Sequence, residues 1–179
     1  MIFVWSSCAL AIILVAGALL FQARRIRARH RRFLTAPPPA ASPEGTRLVD
    51  APLALYHGTR FADGTTLLSP PWKDACVCDL FCTGEALFLQ REAGESGPGA
   101  LLCIELGSVD EAALHRAHAP LAGKELPMLR LRWKRGGESL ETELSLRGGS
   151  ASLETLRREI HLRQGNIAAQ LAPFFERTP

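Results

Sequence analysis

Residues 128–147 read MLRLRWKRGGESLETELSLR, and the spacing of their apolar side chains decides the fold class. Apolar and polar positions alternate with a period of two, the mark of a strand with one face buried. Gly136-Gly137 divides the run, and paired glycines suit a two-residue primed turn because both tolerate positive φ. Taking them as the turn sets Trp133 opposite Leu140, Leu131 opposite Thr142 and Leu129 opposite Leu144 on one face. The other face sets Arg132 against Glu141 and Arg130 against Glu143. A slip of one residue would spoil both patterns together, so the register is tightly specified.

Upstream of this hairpin, short alternating or apolar runs mark further strands at Ala54–Thr59, Ala75–Thr83, Ala86–Arg91 and Ala100–Leu106, with the hairpin arms at Met128–Arg135 and Glu138–Arg147. The stretch Ser108–His118 reads as a short helix or an ordered connection. Downstream of Gly148-Gly149 the period changes: Leu153, Leu156, Ile160 and Ile167 follow three- and four-residue steps. Ser152 is placed to cap a helix there, and Glu154 lies near its positive end. Gly165-Asn166 is expected to end or kink that helix.

The other end of the chain is a different material. From Ile2 to Phe21 no residue is charged. Such a run, at ~1.5 Å of rise per residue, spans about 30 Å, the thickness of a hydrocarbon core. A cleaved signal peptide needs basic residues before its apolar stretch, whereas here they follow it, as Arg24, Arg25, Arg27, Arg29, Arg31 and Arg32. Placing that block on the cytoplasmic side gives an external N-terminus and a cytoplasmic remainder at the inner (plasma) membrane. The six arginines form a basic cluster at the membrane interface. They anchor the helix end there and attract anionic headgroups. Helical spacing continues through Gln22 to Leu34 without a proline. Thr35 to Gly45 (TAPPPAASPEG) then reads as a semi-rigid extended spacer holding the domain about 30 Å from the helix end.

The expected organisation is therefore a transmembrane helix at 1–22, a basic juxtamembrane segment at 23–34, a proline-rich linker at 35–45 and one domain at 46–179. Composition agrees: 47% hydrophobic and 22% charged residues in a chain of 179 suit a folded domain rather than disorder. The net charge of +3 comes from one place. Setting the six clustered arginines aside leaves 15 bases against 18 acids, which argues against a nucleic-acid partner.

The order of segments LYHGTRFADGT, CDLFCTGEALFLQRE, GALLCIELGSV and LPMLRLRWKRGGESLETELSLRGG, followed by a helix, resembles bacterial pleckstrin-homology-like domain proteins with one N-terminal membrane helix. The resemblance covers residues 53–163 and the anchor. It implies a mainly β fold with α: a bent, partly open antiparallel barrel capped by a C-terminal helix. Phosphoinositide-binding members of the wider fold carry basic residues between the first two strands. Arg60 and Lys73 here stand beside Asp63 and Asp74, so that property is not implied.

Three constellations suggest chemistry. Cys76, Cys78 and Cys82 share one strand face with Leu80, a pattern that suits a core face of small apolar groups. The alternative is a zinc or redox site completed by Cys103 or His57, although the knuckle spacing of structural zinc is missing. Tyr56-His57-Gly58-Thr59 resembles the His-Gly-Thr segment of ADP-ribosyltransferases, but Tyr56 is the chain's sole tyrosine and the second stacking aromatic of that family is not evident. His115 and His118 lie three apart beside Asp110 and Glu111, a metal-ligand spacing if the segment is helical. No nucleophile elbow, phosphate loop or dinucleotide fingerprint occurs. The reading is thus a non-enzymatic membrane-anchored module that binds a protein partner or assembles with itself, with no catalytic residues, metal or cofactor. An ADP-ribosyl-transfer enzyme centred on His57, or a thiol-based metal or redox sensor, is the alternative.

Overall fold

The computed structural model describes residues 2–35, 40–66, 72, 74–92, 99–119 and 122–175. A first helix, α1 (Ile2–Thr35), leads into seven strands: β1 (Val49–Phe61), β2 (Cys76–Cys82), β3 (Ala86–Arg91), β4 (Ala100–Glu105), β5 (Val109–Ala119), β6 (Lys124–Arg135) and β7 (Glu138–Ser145). A 3-10 turn (Leu106–Ser108) joins β4 to β5, and a second helix, α2 (Gly149–Phe175), follows β7. The strands form one antiparallel sheet in the order β4-β3-β2-β1-β7-β6-β5.

β1 serves both halves of the sheet because it bends twice. Its first part pairs with β2 and its second with β7, with irregularities between Ala51 and Ala54 and between Tyr56 and Gly58. Leu53 takes the left-handed conformation (φ 60) at the first bend. Its N–H donates to Asp79 Oδ1 (3.2 Å) rather than to the ladder. Bulges of this kind add twist and let a strand turn a corner.

The β6–β7 register is the one read from the sequence: Leu129 faces Leu144, Arg130 faces Glu143, Leu131 faces Thr142, Arg132 faces Glu141 and Trp133 faces Leu140. Gly136 and Gly137 have φ of 59 and 77, the left-handed pair that a primed turn requires. Trp133, Leu131, Leu129, Leu140 and Leu144 are buried in one cluster with Leu80, Leu87, Leu89, Ile104 and Tyr56. Helix α2 covers part of that cluster. Leu153, Leu156 and Ile160 are wholly buried, and the helix packs on β5, β6 and the 3-10 turn.

Four expectations need correction. Ser108–His118 is neither helix nor connection but strand β5, paired along its length with β6. β6 starts at Lys124, ahead of the sequence estimate, and takes Pro127 into the strand opposite Arg116. The closing helix begins at Gly149, so Ser152 lies inside it rather than capping it. It also runs past Gly165-Asn166 to Phe175 without ending there; the side chain of Ile167 lies outside the described residues.

Helix α1 is continuous from the apolar stretch through the basic one. Among the described residues no helix is long and apolar enough to cross a membrane. The side chains of 1–11, half of the expected span, lie outside the described residues, and those described begin at Ile12. The prolines at 37–39 also lie outside them. The described part of the expected linker, 40–45, runs along the sheet instead of away from it. The Ala40 N–H donates to Glu105 (2.9 Å), and Ala41 packs on a second cluster of Phe81, Ala86, Phe88 and Cys103. That cluster occupies the face of β2–β4 opposite the main core.

Candidate functional site

The last turns of α1 dock on one end of the sheet. Along the helix Ala23, Ile26, Arg29, His30 and Phe33 are at least partly buried. Their spacing of three and four residues makes one stripe. Phe33 is buried in the main core cluster with its ring edge-on to Trp133 (6.3 Å between centroids). The guanidinium of Arg135 lies over its other side at 4.9 Å. His30 meets Phe61 edge-on at 5.4 Å.

Charge reinforces the docking. Arg29 pairs with Asp63 and reaches Glu138 Oε2 at 3.4 Å, with its guanidinium 5.5 Å from the centre of Phe61. Arg32 reaches the other oxygen of Glu138 at 3.4 Å. The Glu138 side chain is only 11% exposed, so its two arginines act in a partly desolvated setting, where pairing is worth more than at an open surface. The Thr65 N–H, donating to Asp63 Oδ1 at 3.1 Å, holds the Asp63 carboxyl below its usual range, and Arg29 adds to this. Of the arginines read as one interfacial cluster, the structure therefore directs Arg29 and Arg32 to the domain, with Arg32 still largely open to solvent. Arg24, Arg25, Arg27 and Arg31 are exposed.

The outer face of β1, β7, β6 and β5 is a ladder of opposite charges. Glu143 takes Arg60, Arg130 (3.3 Å) and His115 (3.1 Å). Glu141 takes Arg60 (3.4 Å), Arg130 (3.5 Å) and Arg132 (3.4 Å). Arg132 also meets Glu111 (2.9 Å), and Lys134 meets Asp110 (3.0 Å). Basic and acidic groups match across these strands, which leaves no concentrated positive field for a phosphate.

His57 lies at the edge of this ladder, its Nε2 2.8 Å from Ser145 Oγ. The pair has hydrogen-bond geometry, but Ser145 is 3% exposed, too buried to attack a substrate. Nδ1 of His57 is buried with no partner among the described residues, so no carboxylate orients the ring as a triad requires. Burial holds the imidazole below its ordinary value, partly opposed by Glu143. Tyr56 is wholly buried in the main core cluster and offers no ring to a nicotinamide.

The cysteine face is core. Cys78 and Cys82 belong to the main cluster and Cys76 packs against it, whereas Cys103 lies in the second cluster across the sheet. All four are free thiols. Burial pushes Cys78 up to about 12 and both Cys82 and Cys103 up to about 11, the opposite of an activated thiolate. His115 and His118 sit on strand β5, where positions three apart point to opposite faces, so the helical metal spacing does not arise. Among the described residues no group of three or more His, Cys, Asp or Glu is placed to hold a metal ion.

A feature the sequence did not disclose is a chain of hydrogen bonds through the core. Trp133 Nε1–H donates to Thr142 Oγ1 (2.9 Å), Thr142 lies 2.8 Å from Thr59 Oγ1, Thr59 lies 2.9 Å from the Tyr56 hydroxyl, and that hydroxyl lies 3.0 Å from the Trp72 carbonyl oxygen. The indole can only donate and the carbonyl can only accept. The Tyr56 O–H is the donor in both of its contacts, to Thr59 Oγ1 and to the Trp72 carbonyl oxygen. The threonines and Tyr56 lie on the core faces of their strands, but nothing in that spacing says which of them meet.

The domain is a seven-stranded antiparallel sheet followed by a C-terminal helix. No family model matches the chain, and no curated protein matches it. Two solved structures of Vav1 are similar: one bound to an allosteric inhibitor (13% identity, TM-score 0.40) and one an apo activated truncation (12% identity, TM-score 0.41). Each match covers 82% of this chain and 34% of the Vav1 chain, so the chain spans about a third of the length of the proteins it matches. At these scores the likeness carries no argument about function.

Proposed function

We propose that the chain is a single-pass protein of the bacterial inner membrane whose N-terminal helix anchors a cytoplasmic pleckstrin-homology-like module, and that the module is a non-enzymatic adaptor that binds a protein or assembles with itself. The observation that carries the anchor is the state of α1 between Ile12 and Phe21. Every residue there is exposed, and the large ones from Ile12 through Phe21 stand 60–69% open. A helix that is apolar all round and covered by none of the described residues has a hydrocarbon phase as its natural surroundings. Together with the uncharged residues before it, the stretch has the length of a bilayer core. The basic residues that follow set its direction.

The adaptor role rests on the chemistry of the domain. The serine of its histidine–serine pair is buried, its thiols are held protonated, and its charged face is internally matched. Washing membranes with alkaline carbonate should leave the full chain in the pellet. A C-terminal alkaline phosphatase fusion should be inactive and a C-terminal fluorescent-protein fusion bright. Release by carbonate overturns the anchor, and phosphatase activity overturns the orientation. Incubation with labelled NAD should give no binding that depends on His57. Binding lost in His57→Ala would replace the adaptor reading with the transferase one.

A further inference from the structure

We infer that the arginine block is divided between two partners along one helix: Arg29, with Phe33 beside it, clamps the domain through Asp63 and Glu138, whereas Arg24, Arg25 and Arg27 meet an anionic lipid surface, so that the domain is held in one orientation against the leaflet. The inference rests on the membrane anchoring proposed above. Two independent features of the helix carry it.

The first is which way the residues face. Ile26, Arg29, His30 and Phe33 form the stripe against the sheet, and Arg24, Arg25 and Arg27 lie off that stripe and are exposed. The Arg29 side chain is 21% exposed against 69% for Arg32. It meets two carboxylates and an aromatic face together.

The second is depth. Counting from Phe21, Arg24 to Arg27 stand ~5–9 Å beyond the apolar stretch at helical rise. That places Arg24 and Arg25 within the headgroup layer, about 5–8 Å on each side of the hydrocarbon, and Arg27 at its outer edge. Arg29 and Arg32 stand ~12 Å and ~17 Å out, past that layer, where Asp63 and Glu138 meet them. Because the helix is unbroken between the two groups, the hairpin tip and the loop after β1 lie close to the leaflet rather than a spacer's length away. Like-signed charges in one short block thus do two jobs, sorted by helical phase and by depth.

The test uses the full chain in nanodiscs of phosphatidylcholine with phosphatidylglycerol. Spin-labelled phosphatidylglycerol should be enriched around the protein relative to spin-labelled phosphatidylcholine. The triple change Arg24→Gln, Arg25→Gln, Arg27→Gln should abolish that enrichment while leaving hydrogen exchange in 26–33 as slow as in the unaltered chain. The paired change Asp63→Asn, Glu138→Gln should do the converse, keeping the lipid preference and speeding exchange in 26–33. Equal loss of lipid preference from both sets, or no preference in the unaltered chain, overturns the division. Failure of the chain to enter nanodiscs at all would instead strike the anchoring on which the inference rests.

Discussion

Thr142 stands between two buried partners, accepting the Trp133 N–H and sharing a hydrogen bond with the Thr59 hydroxyl. Removing its hydroxyl leaves an indole donor unmet in a wholly buried setting, a loss of about 1–3 kcal/mol. Thr142→Val should therefore lower the urea midpoint. Combined with Thr59→Val it should cost less than the two losses together, since the two hydroxyls share one hydrogen bond. The thiols make a prediction of opposite character. The ordinary cysteine value near 9.0 applies once the chain unfolds, whereas Cys78, Cys82 and Cys103 keep their protons to about 11–12 when folded. From pH 9 upward the unfolded state then binds fewer protons than the native one, so stability is full below that pH and falls as pH rises. Denaturation midpoints at pH 8 and pH 10 check it, and alkylation at these positions should need prior unfolding. His57 acts at the other limit. Burial lowers its value from 6.5, so its contribution is present above that pH and is lost as pH falls. His57→Gln should flatten the change in midpoint between pH 7.5 and pH 5.5. Sequence alone placed Cys76, Cys78, Leu80 and Cys82 on one face and favoured core for them. It was silent on the hydroxyl chain, because the contact of Thr59 with Thr142 joins residues on strands far apart in the text.

The β6–β7 hairpin is the element whose reading from sequence carried furthest, down to individual pairs. Its inner and outer faces differ in energetic weight. Trp133 is 1% exposed, and Trp133→Asp buries a charge with no counterion, enough to unfold the domain. Arg132 is half open, and Arg132→Ala should change stability by under ~1 kcal/mol. Circular dichroism melts of the two variants decide the point, and similar effects would refute the register. Strand β5 was hidden by its composition. Asp110-Glu111-Ala112-Ala113-Leu114 is a good helical sequence, and the irregularity between Val109 and Glu111 shifts the alternation that might have disclosed a strand. Pairing with β6 overrides the local preference, placing Ala112 against Leu131 and Leu114 against Leu129. Pro127 concealed the start of β6 in the same way, since proline is confined to places where its missing donor is tolerated.

At the level of the whole molecule, α1 is part of the domain's own core. Phe33 is 7% exposed and shares a cluster with Trp133 and Phe61. Burying a phenylalanine side chain is worth about 1.5–3 kcal/mol. A fragment cut at residue 46 should accordingly be less stable by about that amount than one cut at residue 23, and Phe33→Ala in the longer fragment should remove the difference. Urea titration of the three proteins measures it. Sequence could not anticipate this docking, because arginines beside an apolar span read first as lipid contacts and Phe33 lacks any partner within its own segment.

The path of residues 40–47 has one more result. Phe81 and Phe88 stack 5.0 Å apart on the side of the sheet away from the main core, with Arg47 lying 4.1 Å over Phe81 and Ala41 against the group. The lead-in to β1 is thus a lid on grease, not merely a tether. A protease that nicked the chain there would spare the seven-stranded sheet yet strip the cover from two stacked rings, and the clipped form would turn adhesive and short-lived.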